Sequence, residues 1–210
     1  WDILEKFECI LRDSSPAPRL VFLHGVGGIG KTRLLQKVLE IARGIENCRV
    51  AEDVMDFYHI GLHTPIGLAN AIFEILTPPF DSFQSYQSAY QALNRARLSG
   101  DVVELEKQRE DTLSKFDQDL KQLRAKQRVV LALDTAERVV YGLPGWSDEI
   151  PFAESWGWLI EHLPTWENVV IFAAGREEAK IAVEKMKGQT SVSIDEIEVS
   201  SFNLDESLEY

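Results

Sequence analysis

The run Gly25-Val26-Gly27-Gly28-Ile29-Gly30-Lys31-Thr32 constrains this chain more than any other feature. It fits GxxxxGK followed by Ser or Thr, and its flanks are those that separate a working phosphate loop from a chance match. Before it, Leu20-Val21-Phe22-Leu23 is a short continuous apolar run, as a strand buried on both faces requires. After it, Leu34, Leu35, Val38, Leu39 and Ala42 mark one face of a helix that stops near Gly44. Four glycines let the backbone curl until successive N–H groups face inward, and the positive end of the following helix adds attraction for phosphate oxygens. The expected binding set is Gly25, Val26, Gly27, Gly28, Ile29, Gly30, Lys31, Thr32 and Arg33. Lys31 would reach terminal phosphates, and the Thr32 hydroxyl would hold a magnesium ion.

The rest of the chain alternates strands and helices. Residues 1–18 read as a lead-in helix, with Ile3, Leu4, Phe7, Ile10 and Leu11 at helical spacing, and a linker broken by Ser14-Ser15-Pro16-Ala17-Pro18. Val54 to Ile60 reads as a second strand, and Ile66 to Leu76 as a second helix closed by Thr77-Pro78-Pro79. Between Asp81 and Gln127, Phe83, Tyr86, Tyr90 and Leu93, then Leu113, Phe116, Leu120 and Leu123, keep helical stepping around a break at Ser99-Gly100-Asp101. This predicts an inserted antiparallel helical hairpin, read either as a structural insertion or as a partner-binding arm. Val129-Val130-Leu131-Ala132-Leu133 is a third strand, Trp156 to Leu163 a helix, and Val169 to Ala174 a fourth strand. A helix over about Glu177 to Lys187 and a fifth strand over Ser191 to Val199 follow. The expected fold is α/β, a mostly parallel five-stranded sheet with helices on both faces, and its core spans 19–203 with the hairpin at about 81–127. Ligands of such sheets sit outside the carboxyl ends of the strands.

Those ends carry the candidate chemistry. Asp134 closes the third strand, where a carboxylate is costly in the interior but useful at the rim, holding magnesium through water. Glu137 reads either as the group that orients or deprotonates an attacking water, or as a surface carboxylate or helix cap. Arg176 reads either as a guanidinium touching a gamma phosphate or as an exposed partner of Glu177 or Glu178. His24, His59 and His63 lack companions at ligand spacing and read as structural. Trp146, Trp156, Trp158 and Trp166 are expected to pack.

Composition removes other classes. Apolar residues make up 45% and charged residues 27%, ordinary globular values. With 34 acidic against 22 basic residues the net charge is −12, so the overall field repels nucleic acid and anionic lipid. No apolar run approaches the roughly 20 residues of a membrane span. Cys9 and Cys48 lack CxxC spacing and are expected to be buried thiols in a reducing compartment, so the expected location is cytoplasmic. The missing initiator Met is expected of a piece of a longer protein.

Three segments, Leu23 to Thr32, Val129 to Arg138 and Val169 to Arg176, together resemble the signal-transduction ATPases with numerous domains, the STAND class, related to NACHT, NB-ARC and AAA+ modules. The resemblance implies a three-layer P-loop NTPase of strand order 5-1-4-3-2 that binds ATP or ADP with Mg2+ through Thr32 and the Walker B residue Asp134. It implies a slow ATPase switch, with Lys31, Asp134, Glu137 and Arg176 as its catalytic set. Nucleotide state would control exposure of oligomerisation surfaces, giving a homo-oligomer when ATP is bound. Thr135 departs from the second acid that NB-ARC proteins place after the Walker B aspartate, while Glu137 falls where NACHT-like proteins have an acid. The family continues into a helical lid, a winged-helix domain and repeats or sensors, and residues 204–210 look like the first turns of that lid. Two other readings share the phosphate loop: a scaffold whose nucleotide only stabilises the fold, and a small-molecule kinase. No NKxD sequence is present to read guanine, so adenine is expected.

Overall fold

In a computed structural model of the chain, residues 3–76, 82–139, 154–187 and 192–200 are described. Apolar stepping produces α1 (Ile3–Arg12), which buries Phe7, Ile10 and Leu11. β1 (Arg19–His24) leads through the glycine loop into α2 (Lys31–Arg43), whose buried face is the Leu34, Leu35, Val38, Leu39 and Ala42 stripe. Two short strands follow, β2 (Cys48–Val50) and β3 (Met55–Asp56), then α3 (Pro65–Leu76). The hairpin helices are α4 (Gln84–Ser99) and α5 (Val102–Arg124). β4 (Arg128–Asp134), α6 (Glu154–His162), β5 (Val169–Gly175), α7 (Lys180–Lys187) and β6 (Ser193–Glu198) complete the fold.

The fold is α/β, and every strand pair among the described residues is parallel. The sheet has six strands in place of the expected five, in the order β2-β4-β5-β1-β6, with β3 also on β4. The expected order 5-1-4-3-2 is thus corrected at one edge, where two short strands lie along β4 instead of one second strand at Val54–Ile60. The Asp56 side chain breaks that strand by accepting the Tyr58 N–H at 2.8 Å. His63 then bonds the Phe57 carbonyl at 2.8 Å, and the chain enters a 3-10 turn over Ile60–His63. All seven residues of β5 are buried, and since alternate residues point to opposite faces, both faces of the sheet centre are covered.

α4 and α5 turn back on one another at Gly100, φ 72°, and at Asp101, whose carboxylate accepts the N–H groups of Val103 and Glu104, both at 3.0 Å. Buried Asp119 near the end of α5 accepts the Tyr86 N–H near the start of α4 at 2.8 Å, fixing the antiparallel register. Phe116 meets Phe83, Tyr86, Trp158 and Trp166, so the hairpin base packs into the main core. Trp156, Trp158 and Trp166 are buried, while Trp146 lies outside the described residues, as do 204–210. The expectation of buried thiols is corrected: Cys9 is exposed and Cys48 half-buried. Among the described residues no helix is long and apolar enough to cross a membrane.

Candidate phosphate-binding site

Parallel pairing brings the carboxyl ends of β1, β4 and β5 to one edge, with His24 level with Gly175 and Leu133 level with Ala173. The glycine loop leaves this edge with positive φ at Gly25 (153°), Gly28 (79°) and Gly30 (97°), conformations that L side chains resist. At Gly25 a second constraint applies, because a Cβ there would stand 2.5 Å from the Val199 carbonyl oxygen. That carbonyl is held close because the Val199 N–H donates to His24 O at 2.8 Å, prolonging the β1–β6 ladder.

Lys31 opens α2 and folds back over the loop, its Nζ donating to the carbonyls of Gly25 and Val26, both at 2.8 Å. Only 9% of the residue is exposed. Burial pulls its ammonium pKa below the ordinary lysine value, Glu137 and Asp134 oppose that shift, and Arg176 adds to it. Next to it, the Thr32 hydroxyl donates to Asp134 Oδ2 at 2.5 Å, and Asp134 Oδ1 accepts the Thr135 N–H at 2.7 Å. The loop and the end of β4 are therefore joined side chain to side chain.

Glu137 and Arg176 form a second junction: Glu137 Oε2 accepts the Arg176 N–H at 3.1 Å, and Oε1 lies 3.3 Å from Arg176 Nε. The guanidinium runs on over the loop, with Nη2 3.4 Å from where a Gly27 Cβ would be. The reading of Arg176 as a partner of Glu177 or Glu178 is corrected: its carboxylate partner is Glu137. Gly175 makes this approach feasible, since a Cβ there would lie 2.9 Å from Ala179 Cβ and 3.3 Å from Ala136 Cβ. A cleft of about 530 Å³ adjoins the loop, lined by Gly25, Gly27, Arg176, Glu198, Val199 and Ser200 among others.

Of the expected set, Lys31, Thr32, Asp134, Glu137 and Arg176 come together. Val26 is 70% exposed at the loop tip, and Ile29 packs partly against the core. Arg33 lies on the exposed face of α2, its Nη1 3.5 Å from Gln36 Oε1. Two of the three histidines are packing groups, His24 with Nδ1 2.9 Å from Glu177 Oε2 and His63 buried against Phe57, while His59 is exposed. Glu177 also pairs with Lys180, whose ammonium and the His24 contact hold its carboxyl below the ordinary range.

Asp56 is the residue that sequence reasoning missed. It ends β3 level with Asp134 and accepts the Thr135 hydroxyl at 2.6 Å. The available signal was an acid closing an apolar run, as at Asp134; a strand drawn over Val54–Ile60 put Asp56 mid-strand and hid it.

The donor set suits magnesium. Mg2+ takes one or two protein oxygens and completes its shell with water and phosphate oxygens, and the converging Thr32 hydroxyl and Asp134 carboxylate supply two such atoms. Among the described residues no cluster of three or more His, Cys, Asp or Glu side chains is placed to hold a metal on its own. Neither a protein-family model nor a curated protein matches this chain.

Proposed function

We propose that the chain is a P-loop NTPase core of the STAND type, binding ATP or ADP with Mg2+ and acting as a slow, nucleotide-controlled signalling switch. The observation that carries this reading is the Thr32–Asp134 bond, which couples a loop of the right sequence to the strand-end acid expected to share its metal. In this reading the loop N–H groups and the start of α2 hold the phosphates. Lys31 exchanges its two carbonyl partners for terminal phosphate oxygens, while Thr32 and Asp134 hold the cation. Mg2+, when bound, neutralises charge on the phosphate oxygens. Arg176, whose guanidinium crosses the loop near Gly27, would reach the gamma phosphate and report its presence. The switch would work in a cytoplasmic setting, with its own lid, winged-helix and sensor or repeat segments as further partners, and would form a homo-oligomer when ATP is bound.

A second reading, a nucleotide-stabilised scaffold without turnover, is favoured by one specific contact. Glu137 accepts the Arg176 N–H on one oxygen and pairs with Arg176 Nε through the other, so in this conformation its carboxylate ties the turn after β4 to the end of β5, a structural task that a scaffold also needs. Limited proteolysis and light scattering with ADP, ATP and a non-hydrolysable ATP analogue separate the two. The switch predicts a pattern or mass that changes with the gamma phosphate, and identical behaviour in all three would favour the scaffold.

A further inference from the structure

We propose that Asp56 is a positioning residue for the metal-binding carboxylate, acting through Thr135; the inference rests on the P-loop reading above. Thr135 has φ 58°, a left-handed backbone that a β-branched residue rarely adopts. Two bonds hold it there: its N–H donates to Asp134 Oδ1 at 2.7 Å, and its hydroxyl donates to Asp56 Oδ1 at 2.6 Å. Asp56 is itself fixed, because β3 pairs with β4 in register, Asp56 level with Asp134, and because the same oxygen accepts the Tyr58 N–H. The Phe57 N–H donates to the Asp134 carbonyl at 3.1 Å and closes the arrangement from the other side.

The consequence falls on Asp134. Its Oδ1 is turned to the N–H of the 134–135 peptide, and that leaves Oδ2 facing the Thr32 hydroxyl. Without the Asp56 anchor, relaxation of the Thr135 φ between a fixed β4 and a fixed following turn requires a compensating rotation of the 134–135 peptide, opposed then by the Phe57 N–H bond alone. That rotation carries the Thr135 N–H away from Oδ1 and leaves the Asp134 carboxylate free to turn off the Thr32 side. Asp56 thus does the orienting work of an outer-shell partner, and removal of such partners costs about 10–100-fold in metal affinity.

The test uses the full chain and four proteins: wild type, Asp56→Ala, Asp56→Asn, and Asp56→Ala combined with Thr135→Gly. Each is titrated with ATP without metal and with ATP plus Mg2+, and each is melted without ligand. The expected result is that Asp56→Ala keeps metal-free ATP affinity but loses about tenfold of the Mg2+ enhancement. Asp56→Asn, whose amide oxygen still accepts both bonds, keeps the enhancement. The double variant regains part of it, because glycine adopts φ near 58° without the steric cost that a β-branched residue carries there. The ligand-free melts follow the same order.

If Asp56→Asn falls as far as Asp56→Ala and glycine rescues nothing, Asp56 acts by charge on the cation and the positioning role is overturned. Unchanged Mg2+ enhancement in Asp56→Ala overturns it as well. Failure of the wild type to bind ATP in any condition would instead overturn the P-loop reading and with it the metal role. The melting series would then still decide whether Asp56 anchors Thr135.

Discussion

Glu137 grips Arg176 at two points, backbone N–H and side-chain Nε, and so sets where the guanidinium crosses the phosphate loop. The grip ties the turn after β4 to the end of β5, and it gives an otherwise 60% exposed side chain a defined direction.

Arg176→Ala should therefore change discrimination more than binding as such. Loss of one charge-assisted contact to the gamma phosphate is expected to weaken ATP about tenfold while ADP stays nearly unchanged. Competitive titration of the two nucleotides measures this, and equal loss for both would place Arg176 on the shared phosphates.

Gly25→Ala should cost stability even without ligand. The φ of 153° and the 2.5 Å approach to Val199 O leave no room for a methyl group, and backbone, not a flexible side chain, would have to move. A loss of about 1–3 kcal/mol is expected, at about 2–4 °C of melting temperature per kcal/mol for a chain of this size.

Lys31→Met should separate function from stability. The buried ammonium lies below its ordinary pKa because of desolvation, so at neutral pH the folded state carries a charge that it holds less well than the unfolded chain does. The variant is expected to match or exceed wild type in ligand-free stability at pH 7 while losing nucleotide binding. As pH rises through the depressed folded pKa toward 10.5, wild type sheds that proton first in the folded state, and its deficit shrinks. Chemical denaturation at pH 7 and pH 10 checks the sign.

Phe116→Ala tests the hairpin as part of the core. With no exposed surface and four aromatic neighbours, its truncation should cost about 3–5 kcal/mol. Because it lies away from the loop, ATP affinity should remain within about twofold of wild type. A small thermal effect would mean that the hairpin docks only loosely.

Much of this was legible in the residues because the signals were local. The β1–loop–α2 unit, the Asp134 strand end, β5 and the hairpin stepping around Gly100 each follow from a short apolar pattern and its breaker. What escaped was set by contacts distant in sequence. β2 is three residues long and exists because β4 offers it a ladder, and β3 stops at Asp56 because that side chain caps the next turn. The Asp56–Thr135 bond spans 79 positions, and no spacing rule reaches that far. Likewise, Glu137 could be read as a base from its distance to Asp134, but its engagement with Arg176 depends on β4 and β5 being neighbours.

The central claim is that this loop holds adenine-nucleotide phosphates with Mg2+. Titration calorimetry of the nucleotide-free chain with ATP, ADP and GTP, with and without Mg2+, tests it, with Lys31→Ala as the control. The account predicts adenine-nucleotide binding that Mg2+ strengthens and Lys31→Ala abolishes, with GTP weaker. Equal heats for wild type and Lys31→Ala, whatever the nucleotide, would contradict it.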